Sequence, residues 1–454
     1  MADFVKSNHF GGLFSFSQAV INPPLDIYFR NWGAAKTDRA TGIHKELKMT
    51  CLAIKQTKGS QALYIISADL GWWINPEDEL NMRQRILDHY KISASNLLFC
   101  LSHTHSGPSI CSSDKIKRGG AHILPYLEFI RSRAIELIGR CNESMQPGIL
   151  EWEYGKCTLA RNRDYPADDN KTKYLVGYNP AATADDTLLL GVIYGAGGRL
   201  GTIINYACHP TTLAQDNTLI SPDFVGEMRT VMEGETKVPC LFIQGASGDL
   251  APRVQYVADT AVADAHGRQL AYAALSAMEG KPKPGSDYHF TGSLSSGAPL
   301  AIWESILAKP DTGMKTRILE VVVPLKADEP LEQTESKWVE AKDPALKERL
   351  WRKLNKRRFV GEGTTTKLKL WIWKLGEGFI IAQPNEAYSE FQMKIRQAFP
   401  MYKIAVINIA NGYIGYMPPA ACYDKDLYAV NISPYGKGAL ELMTDMVIKA
   451  IEQL

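Results

Sequence analysis

Up to about residue 270 the chain alternates short apolar runs with stretches of helical period, the rhythm of an α/β domain. Met49–Lys55, Ala62–Ala68, Leu97–Leu101, Thr187–Tyr194, Gly201–Tyr206 and Val238–Gln244 are predicted strands. Pro76–Tyr90 reads as a helix with Asn75 as N-cap and proline at its first position. Leu124–Cys141 places apolar residues on a 3.6-residue period, and Met228–Glu235 and Ala261–Ala277 are further helices. No repeat of fixed period emerges, so solenoids and propellers are unsupported.

Between Gly280 and Gly297 the composition turns to Gly, Pro and Ser, which predicts a surface connection. The charged stretch Glu335–Phe359 then reads as one or two solvated helices broken at Pro344. Thr366–Lys374 and Gly378–Gln383 are predicted strands, Ala387–Ala398 a helix, Ile404–Ile409 a strand and Gly438–Leu454 a closing amphipathic helix. The expectation is one large α/β catalytic domain over residues 1–454, with mixed sheets flanked by helices and a helical insertion at about 285–362.

With 454 residues, 45% hydrophobic and 22% charged, the chain must bury a large interior. The 51 Lys+Arg against 49 Asp+Glu leave a net charge of +2, which offers no phosphate-binding field and argues against nucleic acid as a partner. The opening MADFVKSNHFGGLFSFSQAV lacks a continuous apolar core, and no long apolar run follows. Stable membrane insertion is therefore not expected, and a cytoplasmic location fits the sequence as written, with export the alternative if a leader has been removed; the oligomeric state is left open. Eight cysteines without a CxxC pair do not make a disulfide framework. Cys100 and Cys240 sit in apolar runs and read as core; Cys208, beside a histidine, could in principle offer a thiolate, but core is the favoured reading.

The strongest chemical signal is NLLFCLSHTHSGPSI, an apolar strand ending in His103-Thr104-His105 and then a Gly-Pro turn. In a strand, residues i and i+2 share a face, so His103 and His105 could converge on one metal or one substrate atom. Two hydrogen-bonded histidines at a strand end are the other reading. His209 follows the strand of GTIINYACHPTTL in the same way, and Glu386 follows GFIIAQ. Loop-borne catalytic residues gather at strand ends, although a glutamate there also suits a helix N-terminus.

Taken together, SHTHSGP (Ser102–Pro108), CHPTTL with ISPD (Cys208–Leu213, Ile220–Asp223), GDLAP (Gly248–Pro252), PNE (Pro384–Glu386) and NGYIGY (Asn411–Tyr416) resemble the ordered motifs of the neutral, non-lysosomal ceramidases. The early segment TGIHKELKMTCLAI is similar too, so the resemblance spans roughly residues 25 to 435. It implies a zinc hydrolase whose metal is held by His103, His209, Glu386 and Tyr416, with His105, Arg163 and Tyr428 as further active-site groups. On that reading zinc-activated water attacks an acyl bond, His105 carries the proton, and Arg163 and Tyr428 donate to the oxyanion. Asp223 and Asp249 become candidates for orienting the histidines, or plain cap and turn residues.

Two departures shape the expectation. Where the family carries serine in GDxSP this chain has Ala251, and a methyl group cannot attack a carbonyl. The chain also stops soon after Tyr416, where ceramidases continue into a β-sandwich. A small acylated substrate is expected, with long-chain ceramide a poor one, and the loops after His105 and His209 supply a polar rim from Ser106, Ser109, Ser112, Ser113, Asp114, Thr211, Thr212, Gln215, Asp216 and Asn217. The alternatives are the same zinc site acting on a non-lipid ester or carbohydrate-derived molecule, and a catalytically silent binding protein.

Overall fold

A computed structural model describes residues 4–5 and 8–454; positions 1–3, 6 and 7 of the polar–apolar opening lie outside the described residues. Eight strands form the larger sheet: β1 (His9–Val20), β2 (Lys48–Lys55), β3 (Leu63–Ala68), β4 (Leu97–Leu101), β5 (Gln146–Lys156), β6 (Thr187–Gly195), β7 (Gly198–Tyr206) and β8 (Cys240–Gln244). Their spatial order is β8-β7-β6-β5-β1-β2-β3-β4. The pairs β3–β4 and β7–β8 are parallel and the others antiparallel. A second sheet runs β9 (Met314–Pro324), β10 (Thr365–Leu375), β11 (Gly378–Ala382), β12 (Lys403–Ile407), with β11–β12 parallel.

The two sheets stack face to face. Leu63 and Ile65 of β3 point into a core shared with Trp371, Trp373 and Ile380 of the second sheet, while Tyr64 and Ile66 point to the opposite face. Because both faces are covered, β3 and β4 read as unbroken apolar runs instead of alternating ones. Helices α1 (Pro76–Tyr90) and α2 (Ile123–Glu143) cover one half of the large sheet's outer face, and α3 (Phe224–Thr236) and α4 (Thr260–Glu279) cover the other. After α5 (Leu331–Glu340) and α6 (Pro344–Val360), α7 (Glu390–Ala398), the short α8 (Tyr428–Ile432) and α9 (Ala439–Glu452) pack on the outer face of the second sheet. Mixed sheets flanked by helices are the architecture expected from the sequence. Among the described residues no helix is long and apolar enough to cross a membrane.

Several boundaries differ for local reasons. The predicted helix at Ala387 begins only at Glu390, because Asn385–Ala387 pairs in parallel with Gly415–Met417. Strands β1 and β5, at the centre of the large sheet, are interrupted by glycines and polar residues that hide them from an apolar-run search. The segment expected to be a surface connection contains strand Ser286–Ser295, which pairs with Pro299–Leu307 as a hairpin turning at Gly297 with φ 72°. Its Gly and Ser content signals the turn, while the flanking aromatics carry strand periodicity. The charged stretch forms two helices divided at Pro344, as expected, with the proline starting α6 after Asp343 caps the Leu346 amide at 2.7 Å. All eight cysteines are free, and Cys208 is packed in the core under α3 and α4.

At the end of β3, Asp69 accepts both Arg229 guanidinium nitrogens of α3, at 2.6 and 2.9 Å, and the Lys48 amide at 2.9 Å, all away from water. Removing one partner strands a buried charge. Arg229→Met is therefore expected to lower unfolding free energy by about 3–5 kcal/mol, and Asp69→Asn added to it to recover part of the loss. Urea denaturation of the single and double variants checks this; equal loss in both would show that the arginine acts through packing alone.

Candidate metal centre

Three strand ends meet beside the second sheet. His103 lies two residues beyond β4, His209 three residues beyond β7, and Glu386 four residues beyond β11. The short parallel ladder sets Glu386 opposite Tyr416. His103 adopts φ 69°, a left-handed conformation that a non-glycine residue holds only where its surroundings impose it. The strand has already ended at Leu101, so His103 and His105 come together through this turn, their rings 4.9 Å apart, and not through a shared strand face.

The polar atoms converge closely. His103 Nε2 lies 3.2 Å from His209 Nε2 and 3.2 Å from Glu386 Oε2, and His209 Nε2 lies 2.8 Å from the same carboxylate oxygen. The Tyr416 hydroxyl is 3.3 Å from His209 Nε2. All four side chains are buried. The opposite ring nitrogens are spoken for: His103 Nδ1 faces Gly71 O at 3.2 Å and His209 Nδ1 faces Ser247 O at 2.7 Å. A carbonyl can only accept, so both imidazoles donate from Nδ1 and present Nε2 lone pairs to the centre. Asp223 and Asp249, considered for this orienting role, do not perform it. Asp223 caps α3 through Phe224 N and accepts Leu213 N, while Asp249 accepts both the amide and the hydroxyl of Ser389.

Arg163 is buried and places Nε and Nη2 on Gly248 O at 3.1 and 2.8 Å, with Nη2 also on the Tyr416 hydroxyl at 2.9 Å. Gly248 is required there, since a Cβ would stand 2.7 Å from Glu386 O. Tyr428 puts its ring 5.9 Å from that of Tyr416 and is half exposed. Three contributors carried no assignment in the sequence reading. The Tyr413 hydroxyl donates to Glu386 Oε1 at 2.7 Å. Trp72 and Trp32 flank His105 at ring separations of 4.7 and 5.1 Å. The signal was available for Trp72, which follows β3 as the histidines follow β4 and β7, but an indole at a strand end names no chemistry by itself.

The expected polar rim is largely consumed internally. Ser109 donates to Asp114, Asn217 to Ser106 Oγ, Thr211 to Gln255, and Thr212 meets His266. The walls beside the histidines are aromatic instead: Trp32, Trp72, Tyr256 and Tyr413.

Burial, reinforced by the Arg163 charge, pushes His209 down to about 4. Burial and the neighbouring imidazoles hold His105 well below its usual value. Burial alone would raise the Glu386 carboxyl; attraction to His103 and His209 brings it well below the ordinary range, but only while an imidazole carries a proton on Nε2 to donate. Burial raises the Tyr416 phenol against the pull of Arg163. The centre brings together two imidazoles, a carboxylate and a phenol, with His105 Nε2 buried beside them and without a hydrogen-bond partner. Nitrogen and oxygen donors converging in this way could hold a metal ion. Ligands about 2.0–2.1 Å from a tetrahedral ion stand about 3.3 Å from one another, near the spacing of the His103, His209 and Glu386 atoms.

Over residues 22–266, more than half of the chain, the sequence matches the family model of neutral/alkaline non-lysosomal ceramidase, N-terminal. The chain belongs to the neutral/alkaline non-lysosomal ceramidase family. Its fold is similar to that of a solved "Ceramidase complexed with C2", with TM-score 0.69 and 16% identity over 98% of this chain and 76% of that one. It is equally similar to the neutral ceramidase from Pseudomonas aeruginosa, with TM-score 0.68 and 16% identity over 98% and 75% of the two chains. At that identity the likeness is one of fold. No curated protein matches the sequence. Membership makes this ceramidase-family chain a hydrolase of the neutral ceramidase type. The family match contains His103, His105, Arg163 and His209 but ends before Glu386, Tyr416 and Tyr428.

The buried neutral His209 has a linkage consequence. Its folded value, about 4, lies below the ordinary 6.5, so the folded chain binds fewer protons than the unfolded one between those values. The contribution is fully present above pH 6.5 and is lost as pH falls toward 4. In chelator-stripped protein, the stability of wild type relative to His209→Asn is expected to decline by on the order of 2 kcal/mol between pH 7 and 4. Urea unfolding across that range measures it; a pH-independent difference would show that the imidazole is not held neutral.

Proposed function

We propose that the chain is a zinc-dependent amidohydrolase that cleaves an acylated small molecule with water as the nucleophile. The observation that carries this reading is the convergence of His103 Nε2, His209 Nε2 and Glu386 Oε2 within 3.2 Å of one another, beside the Tyr416 hydroxyl. His103, His209, Glu386 and Tyr416 would hold the ion. A zinc ion bound there supplies Lewis-acid polarisation and lowers the pKa of water toward about 7.

The remaining roles belong to the chain's own side chains. His105 is clamped between two indoles with Nε2 unpartnered, so it can take a proton from water and return it to the leaving amine. Its depressed basicity keeps it neutral, and therefore ready to accept, at pH 7. Arg163 stays cationic next to Tyr416 and Glu386, and with Tyr428 it supplies positive, hydrogen-bonding character where an oxyanion would develop. Ala251 lies buried in the short strand Leu250–Pro252 and has no hydroxyl to form an acyl-enzyme. The nearby Ser247 is committed as an acceptor from Gln244 at 2.7 Å and gives its carbonyl to His209.

Wild-type protein is expected to carry about one zinc per chain. His103→Ala and His209→Ala should lose it, by elemental analysis, with circular dichroism unchanged. Full zinc retention in both variants removes the ligand assignment. On the best amide found in a substrate panel, Arg163→Met is expected to lower kcat about 100–1000-fold with little change in KM. A serine-directed fluorophosphonate should label nothing in the site; an adduct recovered on Ser247 would overturn the water route.

A further inference from the structure

The loop that leads to Tyr416 brings a second phenol to Glu386. Tyr413, three residues earlier, donates its hydroxyl to Glu386 Oε1 at 2.7 Å. The other oxygen, Oε2, faces His103 Nε2 at 3.2 Å and His209 Nε2 at 2.8 Å. The carboxylate is thus divided, with one oxygen turned to the imidazoles and the other to a phenol, whose ordinary pKa of about 10 makes it a donor at neutral pH. The backbone builds this placement. Asn411, Gly412 and Gly415 have φ 53°, 142° and 124°, so the segment folds back instead of running extended. Asn411 fastens its near end to β4, and Ile414 N donates to Pro384 O at 2.9 Å, two residues before Glu386. A Cβ on Gly412 would stand 3.2 Å from Pro384 Cβ, which marks how closely the two segments approach. Tyr413 is therefore held between two anchors, and the second ties it to the segment whose side chain it meets. Its ring lies 6.4 Å from Trp72, the indole that also flanks His103 at 5.4 Å.

A carboxylate can bind a metal through one oxygen or through both. A catalytic zinc site keeps a position for water and can expand to about five ligands. His103, His209, Tyr416 and one Glu386 oxygen already make four donors, so a second Glu386 oxygen would occupy the place that water needs. We propose that Tyr413 is a positioning residue: by holding Oε1 it keeps Glu386 a one-oxygen ligand and leaves the metal open to water. The inference rests on the metal-ligand reading and adds to it how the site is kept open. A packing role alone would survive Tyr413→Phe, which keeps the ring and removes only the hydroxyl; the positioning role would not.

A crystal structure of zinc-loaded wild type tests the geometry without a variant. Oε1 is expected to keep its bond to Tyr413 and to stay beyond the metal's bonding distance of about 2.0–2.2 Å. Both oxygens on the metal in wild type would overturn the proposal. Cobalt-substituted wild type, Tyr413→Phe and Glu386→Gln then separate the hydroxyl from the ring, with circular dichroism as the check on folding. Azide, a small anion that takes an open metal position, is titrated against the visible cobalt spectrum. Tyr413→Phe is expected to retain about one cobalt per chain and to bind azide about tenfold or more weakly than wild type. In its zinc form it should lower kcat on the best amide of the panel about 10–100-fold with KM unchanged. Unchanged azide affinity and spectrum in Tyr413→Phe overturn the positioning role. So does loss of cobalt from a folded Tyr413→Phe, which would make the hydroxyl a requirement for metal binding and not for openness. The metal reading fails by different signs: a wild type that takes up no cobalt, or a cobalt spectrum that Glu386→Gln leaves unchanged, removes the ligand assignment and the proposal with it.

Discussion

Two imidazole nitrogens and a carboxylate oxygen aim their lone pairs at one point, and the rest of the site is arranged to keep them there. With both Nδ1 protons committed to Gly71 and Ser247 carbonyls, His103 and His209 have nothing to donate to Glu386. Such a cluster is repulsive unless a cation sits within it, and burial removes the water that would soften the repulsion. The backbone carbonyls that fix the tautomers are therefore as much a part of the centre as the ligands.

Holding that arrangement takes rigid neighbours. Asn411 binds β4 through both ends of its amide, accepting Phe99 N and donating to Leu97 O, each at 2.8 Å. This one side chain completes the hydrogen bonding of the strand that leads to His103 and docks the loop that leads to Tyr416. Strain is tolerated in the same places: His103 and Asn411 both have positive φ. Left-handed residues without a glycine's freedom persist where buried hydrogen bonds outweigh their cost of about 1–3 kcal/mol. The indoles of Trp32 and Trp72 serve His105 similarly, restricting an imidazole that has no hydrogen bond of its own at Nε2.

Charge is distributed unevenly around the centre. Arg163 is matched from below by the Gly248 carbonyl and the Tyr416 hydroxyl, and it braces the ligand tyrosine from a segment 253 residues away. Lys356 approaches from the other side through a helix that the family match does not include.

The strands that carry the centre were legible because they are buried on both faces, which writes an apolar run directly into the sequence. Leu97–Leu101 was predicted to the residue, and His103, His209 and Glu386 stood out as polar groups at the ends of such runs. The helix Pro76–Tyr90 was equally plain from its capping residues and proline. What the chain could not display is pairing. Strand β1 gains its apolar surroundings from neighbours remote in sequence, and the Asn385–Ala387 ladder exists because Gly415–Met417 lies alongside it. The same holds for chemistry: that Gly71 and Ser247 carbonyls, not aspartates, set the imidazoles, and that Lys356 lies over Gly415, follow from packing between segments. Local patterns record which residues are buried and where strands stop. Only the tertiary fold decides which buried polar atoms face one another, because that depends on distances the linear order does not contain.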